Sequence, residues 1–288
     1  MIMIKTCVST YSFGGLIGDD QLGIYGVIDK AAEMGFTGIE FIDGGPITLE
    51  SAPKIKKYCE DAGIVPVNLC TGADFAKEDL EARTEQIRKV KEVVDIAYAL
   101  GVSMVRHDSG YAPFDRKYNT GFEAALPYMA EAIVQVTEYA GEKGIRTLTE
   151  NHGFFSQDAA RVEKLVNAVG HPNFGALVDI GNFMCADEDP TLSVGLLAPY
   201  AYHVHCKDFY FKSGVEIAPG EGWFQTRAGN WLRGSVVGFG AAKAAQSLQT
   251  LHRAGYDGYY SIEFEGGDDA LWGIRTGLAN VKRFLNEE

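Results

Sequence analysis

Four residues of types that bind divalent ions recur at regular intervals in the second half of the chain. Glu150 closes Thr147-Leu148-Thr149-Glu150, and Asp179 closes Ala176-Leu177-Val178-Asp179. His205 closes Tyr202-His203-Val204-His205, and Glu263 lies in Tyr260-Ser261-Ile262-Glu263-Phe264-Glu265. Each stands at the C-terminal end of a short β-rich run. The intervals are 29, 26 and 58 residues. With roughly thirty loop residues set aside, the last falls to about 28, so each step is one strand-plus-helix unit. Three carboxylates and one imidazole suit a borderline-hard ion such as Mn²⁺, Mg²⁺ or Co²⁺, whereas a zinc site rich in thiolate would look different. A lone acid at a strand end is commonly a loop residue making one hydrogen bond; four at one-unit intervals predict a metal site. His203 shares a strand face with His205, so alternation does not separate the two.

The elements that must carry these residues alternate along the chain. Strands are expected at 4–9, 38–42, 64–69, 103–106, 146–150, 174–179, 201–205 and 259–264. Helical patterns lie near 20–34, 50–62, 77–100, 121–143, 156–169, 190–198, 240–254 and 268–286. Gly35, Gly63, Gly101, Gly144 and Gly255 follow helical patterns as left-handed caps. Eight such units over residues 1–288 predict one domain, a (β/α)8 TIM barrel of the α/β class. A doubly wound sheet is the alternative, but Tyr11-Ser12-Phe13-Gly14-Gly15 after the first strand lacks the phosphate-loop spacing. The segment at about 209–239 is long and rich in aromatics and glycine, and is expected to lie as a lid over the C-terminal mouth. The competing reading makes Ser235–Phe239 a further strand.

Composition narrows the function. The chain has 288 residues, with 26 Lys and Arg against 39 Asp and Glu, a net charge of −13. That balance argues against general nucleic-acid binding, which needs clustered cations. Five scattered cysteines without a CxxC pair suggest reduced thiols and a cytoplasmic protein. Neither a signal-peptide core nor a membrane-spanning apolar run is expected.

The segments Glu150-Asn151-His152-Gly153, Val178-Asp179-Ile180-Gly181-Asn182-Phe183, His203-Val204-His205-Cys206-Lys207-Asp208 and Ser261-Ile262-Glu263-Phe264 are similar to those of the xylose isomerase-like barrel superfamily. Arg106 in Val105-Arg106-His107-Asp108 and the segment Ser9-Thr10-Tyr11-Ser12 add to the likeness, which covers nearly the whole chain. The chain resembles in particular the sugar phosphate isomerase/epimerase group, with its ketose 3-epimerases and inosose dehydratases. The resemblance implies metal ligation by Glu150, Asp179, His205 and Glu263, the second histidine of the His203-Val204-His205 segment being the ligand, and one divalent ion, with Mn²⁺ expected ahead of Mg²⁺ or Co²⁺. Ketose epimerases of this group carry a histidine three residues after the metal Asp and an arginine six after the metal His, both holding sugar hydroxyls; here Asn182 and Phe211 stand there. The departure counts against a free ketohexose more than against the metal.

The expected reaction is proton abstraction next to a carbonyl, with Glu150 and Glu263 as the catalytic acid–base pair and an enediolate stabilised by the metal. Epimerisation and aldose–ketose isomerisation both pass through it, as does elimination from a cyclitol or keto-glycoside, the alternative reading. Substrate-binding candidates are His152, Lys207, His107, Trp223 and Arg227; Glu40 reads equally as substrate-binding or as a buried acid orienting its neighbours. DNA-repair endonucleases of the same superfamily need more histidines and a basic surface. A sugar-binding barrel without activity would not need a full ligand quartet. The expected partner is a small sugar or cyclitol rather than nucleic acid or membrane, and a homo-oligomer or partner subunit is left open.

Overall fold

The computed structural model describes residues 4–18, 20–111 and 121–285; Asn286, the end of the last expected helix, lies outside them. The barrel strands are β1 (Thr6–Ser9), β2 (Gly38–Ile42), β3 (Val65–Thr71), β4 (Met104–His107), β5 (Arg146–Glu150), β6 (Phe174–Asp179), β7 (Ala201–Cys206) and, after an excursion, β11 (Tyr260–Ile262). They pair in parallel and close in the order β1-β11-β7-β6-β5-β4-β3-β2. The helices outside are α1 (Gly23–Glu33), α2 (Ala52–Ala62), α3 (Leu80–Leu100), α4 (Phe122–Gly141), α5 (Ala159–Val169), α6 (Pro190–Leu197), α7 (Ala244–Arg253) and α8 (Ala270–Phe284). The chain is thus a single-domain (β/α)8 barrel.

Alternation along each strand divides the side chains between two cores. Outward residues such as Val8, Ile39, Leu69, Val105, Val178 and Val204 pack under the helices. Inward residues at the closed end, Cys7, Val67, Met104, Leu148 and Leu177, form a separate apolar plug. Toward the C-terminal end the inward positions turn polar. Register brings His205 beside Asp179 on one side and Ser261 on the other, two residues before Glu263.

His107, expected at the substrate wall, is not brought to the mouth. Arg106 points into the barrel, so the next residue must point out. The His107 ring is fully enclosed, edge-on to Phe75 at 5.4 Å and stacked on Phe174 at 5.9 Å between centroids. Its Nδ1 donates to the Asp108 carbonyl at 2.9 Å, and burial pushes its pKa down to about 4 despite that bond.

The segment after β7 is an antiparallel sheet, β8 (Asp208–Lys212), β9 (Phe224–Gln225) and β10 (Trp231–Ser235), in the order β8-β10-β9. The strand suggested at Ser235–Phe239 is absent, and β10 ends where it would begin. Phe209 and Leu232 bury with Met184, Cys185 and Ala242 in a small core of their own. Asp187 latches the sheet to the loop after β6: its carboxylate accepts from the Thr226 hydroxyl at 2.6 Å, the Ala228 amide at 2.6 Å and the Asn230 side chain at 2.8 Å. Asp208 anchors the return, accepting from the amides of Gly238, Gly240 and Ala242 at 2.8–3.0 Å.

Two outcomes follow from these contacts. Below its folded pKa of about 4 His107 is charged in both states; between there and the ordinary 6.5 only the unfolded chain takes the proton. Its neutral burial therefore stabilises the fold above pH 6.5, and that contribution falls away as pH drops to 4, by up to about 3 kcal/mol. Denaturant midpoints of wild type and His107→Gln across pH 4–7 should show a shallower acid loss in the variant. Asp187→Ala should release the excursion locally: proteolysis within 213–230 should quicken, while the melting of the barrel moves little.

Candidate metal centre

Glu150, Asp179, His205 and Glu263 each offer an atom to one point, all four atoms lying within 4.8 Å of one another. From His205 Nδ1 the distances are 3.7 Å to Glu150 Oε1, 3.7 Å to Asp179 Oδ2 and 3.4 Å to Glu263 Oε2. All four residues are buried. The ends of β5, β6, β7 and β11 supply them, as the spacing predicts.

The neighbours occupy one side of Asp179 and leave the other, and they hold Glu150 by both oxygens. Asp179 Oδ1 accepts from the amides of Gly181 at 2.8 Å and Asn182 at 3.0 Å, while Oδ2 has no hydrogen-bond partner. Asn151 ties the same turn down, donating to the Asp179 carbonyl and accepting its amide at 2.9 and 2.8 Å. Gly181 is required by close approach: a Cβ there would stand 2.9 Å from the Lys207 carbonyl oxygen. Glu150 Oε1 accepts from the Asn182 side chain at 2.8 Å, and Oε2 lies 2.7 Å from Arg106 Nε.

Glu40, at the end of β2, decides which face of His205 is free. It is fully buried and accepts from Asn68 at 2.9 Å, from His203 Nε2 at 2.8 Å and from His205 Nε2 at 2.8 Å. A carboxylate can only accept, so it fixes the proton of His205 on Nε2 and leaves the Nδ1 lone pair toward the three acids. His203 spends its Nε2 on the same carboxylate and is not among the clustered ligands. Of the two readings of Glu40, the geometry bears out the acid that orients its neighbours. An orphaned His205 Nδ1, an orphaned Asp179 Oδ2 and two flanking carboxylates fit a divalent ion with oxygen and imidazole ligands.

The local field has the matching sign. Burial opposes charge on His205, but Glu263, Glu40 and Glu150 outweigh it and raise its pKa well above the ordinary value. Burial likewise opposes ionisation of Glu150 and Glu263, but Arg106 and His205 hold the first low, and His205 and Lys207 the second. Lys207 is buried, with Nζ 2.5 Å from Glu263, 3.3 Å from Glu265 and 3.4 Å from Asp179; it belongs to the site.

The other candidates divide. His152 stands at the wall, its Nδ1 3.0 Å from Asp108 Oδ1. Asp108 also binds Arg106 at 2.7 Å and the Tyr111 hydroxyl at 2.6 Å, so His152, Arg106 and Glu150 form one chain of contacts. Arg227 is spent elsewhere: it lies 3.2 Å from Asp158 and donates to the Phe154 carbonyl at 2.8 Å, pinning the excursion to the loop after β5. Trp223 lies in the turn before β9, on the excursion. Phe211 is half exposed on β8. The roles of Asn182, Asn151 and Asp108 escaped sequence reasoning because an amide or acid beside a ligand has no spacing of its own. Parity along β4 could have placed His107 outside.

Glu40→Gln keeps the shape but can offer His205 an amide donor, freeing the imidazole to change tautomer. Divalent-ion affinity by titration calorimetry should fall about 10- to 100-fold.

The sequence profile of the family described as "Xylose isomerase-like TIM barrel" matches residues 28–284. No sequence among the curated proteins matches the chain. Among solved structures, D-psicose 3-epimerase with D-tagatose from Clostridium cellulolyticum H10 aligns with a TM-score of 0.77 at 15% identity, over 98% of this chain and 99% of that one. The 3-keto-D-glucoside 4-epimerase of E. coli gives 0.73 at 14%, over 98% and 100%. The probable 3-DHS dehydratase of Bacillus anthracis gives 0.71 at 19%, over 99% and 100%. At such identities these three share a fold, while the profile match spans most of the chain. The chain belongs to the xylose isomerase-like TIM barrel family.

Proposed function

We propose that the protein is a divalent-metal-dependent isomerase or epimerase of a sugar or sugar derivative, acting by proton transfer next to a carbonyl. The observation that carries this reading is the convergence of Glu150, Asp179, His205 and Glu263, with Asp179 Oδ2 and His205 Nδ1 left without a hydrogen-bond partner. Glu150, Asp179, His205 and Glu263 would hold a divalent ion, Mn²⁺ by preference, which would supply Lewis-acid polarisation of the substrate carbonyl.

The chain's own groups then move the proton. Glu150 and Glu263 come from strands separated by β6 and β7, and both are held ionised by neighbouring positive charge. One removes the proton and becomes the carboxylic acid; the other takes a proton from solvent, or for Glu263 from the Lys207 ammonium beside it, and gives that proton to the enediolate from a different direction. The Lys207 ammonium, against Glu263, steadies negative charge on the substrate oxygens. His152, carried by Asp108, holds a hydroxyl at the rim. Asn182, which stands three after Asp179, gives an amide N–H to Glu150, and elimination from a cyclitol or keto-glycoside stands as the second reading.

The excursion from β8 to β10, seated on the loops after β5 and β6, serves as the lid over bound substrate. Five free, buried cysteines support a reducing, cytoplasmic setting, and no helix among the described residues is long and apolar enough to cross a membrane. The substrate is a small molecule, and the net charge of −13 makes nucleic acid an unfavourable partner.

Mn²⁺-loaded protein in D₂O should place deuterium at the carbon next to the carbonyl of a ketose or keto-glycoside. Glu150→Gln and Glu263→Gln should each lower that exchange by about 10²–10⁴, with bound metal measured on each variant. If both retain metal and exchange at the wild-type rate, neither is the base and the reading falls.

A further inference from the structure

A large cavity adjoins the ligand cluster without enclosing it. It has a volume of about 870 Å³ and lies between the loop after β1, the end of β2 and the loop from β11 into α8. That is the upper end of the roughly 300–1,000 Å³ found for small-molecule sites, and more space than one sugar ring fills. Its walls are mainly apolar: Tyr11, Leu16, Ile17, Ile42, Phe264 and Ala270. Its charged side chains among the described residues are Asp20, Asp269 and Glu265, all acidic, and no described Lys, Arg or His lines it.

Two lining residues join it to the cluster. Glu265 lies 3.3 Å from Lys207 Nζ, and the Tyr11 ring centroid lies 5.9 Å from the same nitrogen. Lys207 is in turn 2.5 Å from Glu263. Lys207 thus stands at the boundary, with the four metal ligands on one side and the apolar cavity on the other. A group in the cavity can be covalently continuous with a sugar at the cluster.

The lining chemistry selects that group. A phosphate would meet three carboxylates, and the cation at the boundary, Lys207, is already shared among Glu263, Glu265 and Asp179, so hydration would be lost for little charge-assisted bonding in return. A bare sugar hydroxyl chain would leave apolar walls without contact. A neutral aromatic or branched alkyl group buries those walls and leaves the acids hydrated at the rim. Tyr11, half exposed, presents a ring face for stacking.

We propose that this cavity is a binding subsite for a neutral, apolar substituent on the sugar substrate, so that the natural substrate is of the glycoside class with an aromatic or alkyl aglycone rather than a sugar phosphate. The proposal rests on the preceding reading, in which the sugar end sits at the metal ligands.

The test uses unreactive probes on the full metal-loaded chain. Phenyl β-D-glucopyranoside, methyl β-D-glucopyranoside and glucose 6-phosphate are titrated by calorimetry, with saturation-transfer NMR to map the bound protons. The phenyl glucoside should bind at least about tenfold more tightly than the methyl glucoside, with transfer strongest to the ring protons, and glucose 6-phosphate should bind no better than methyl glucoside. Two variants from separate walls, Ala270→Trp to fill the space and Leu16→Glu to make it polar, should each remove the phenyl preference while metal content and melting temperature stay near wild type. Equal affinity for phenyl and methyl glucosides, tighter binding of the phosphate, or a phenyl preference that survives in both folded variants overturns the proposal. Deuterium exchange on a ketose reads the reaction separately. A phenyl preference without exchange on any ketose would retain the subsite and remove the proposed reaction; exchange without the preference would do the reverse.

Discussion

An excess of buried negative charge at one end of the barrel governs the rest of the molecule. Glu40, Asp108, Glu150, Asp179 and Glu263 are all buried there, against two permanent cations, Arg106 and Lys207. An ionised carboxylate without compensation is strongly unfavourable in such surroundings. Arg106 is shared between Asp108 and Glu150, and Lys207 between Asp179 and Glu263. Glu40 is answered by three neutral-capable donors, from Asn68, His203 and His205. What remains is a deficit of positive charge centred on His205 Nδ1 and Asp179 Oδ2. A divalent cation supplies charge of the right sign and magnitude at the point where both atoms lack a partner.

That constraint explains why so many side chains near the site bind protein rather than face solvent. The Gly181 amide takes Oδ1 of Asp179 and leaves Oδ2, Asn151 fixes the Asp179 backbone, and Asn182 and Arg106 hold the two oxygens of Glu150. Fixing the ligands in this way lowers the reorganisation needed when an ion binds. It also commits residues that, with other chemistry, could have touched substrate. Asn182 is the clearest instance: one N–H of its side-chain amide is given to Glu150, which fixes the orientation in which the rest of that amide is presented.

The ligand quartet was legible in the sequence because strand ends in a barrel recur with the period of the βα unit, and chemistry placed there inherits that period. The eight strands were legible for a related reason: buried parallel strands read as short apolar runs, punctuated by the glycines that close the preceding helices. Gly35, Gly63, Gly101, Gly144 and Gly255 all have positive φ. What escaped depended on contacts between strands distant in sequence. Glu40 lies 165 residues from His205, and nothing local distinguishes an acid that serves a histidine from one that serves a substrate. His107 was misplaced although β4 held the information, since Arg106 and His107 cannot face the same way. Arg227 was plausible for an anion until Asp158 and the Phe154 carbonyl took both ends of its guanidinium.

The metal cluster alone does not select a reaction. Epimerisation, isomerisation and elimination share the same proton abstraction, and a quartet that stabilises the resulting charge favours all three alike. Selection must come from groups that see the rest of the substrate. Two regions are placed to do so: the cavity beyond Lys207 and the excursion pinned by Asp187, Asp208 and Arg227. The excursion is built on loops after β5 and β6, next to Glu150 and Asp179, whereas the cavity lies across the barrel beside β1 and β11, next to Glu263. On the proposed reading, a substrate bound between them would be gripped at both ends, and the carbon over the ligand cluster would be set by the distance between the two grips rather than by the ligands. Changing a residue of the cavity would then alter which carbon is presented, while changing a ligand would alter how fast any carbon reacts.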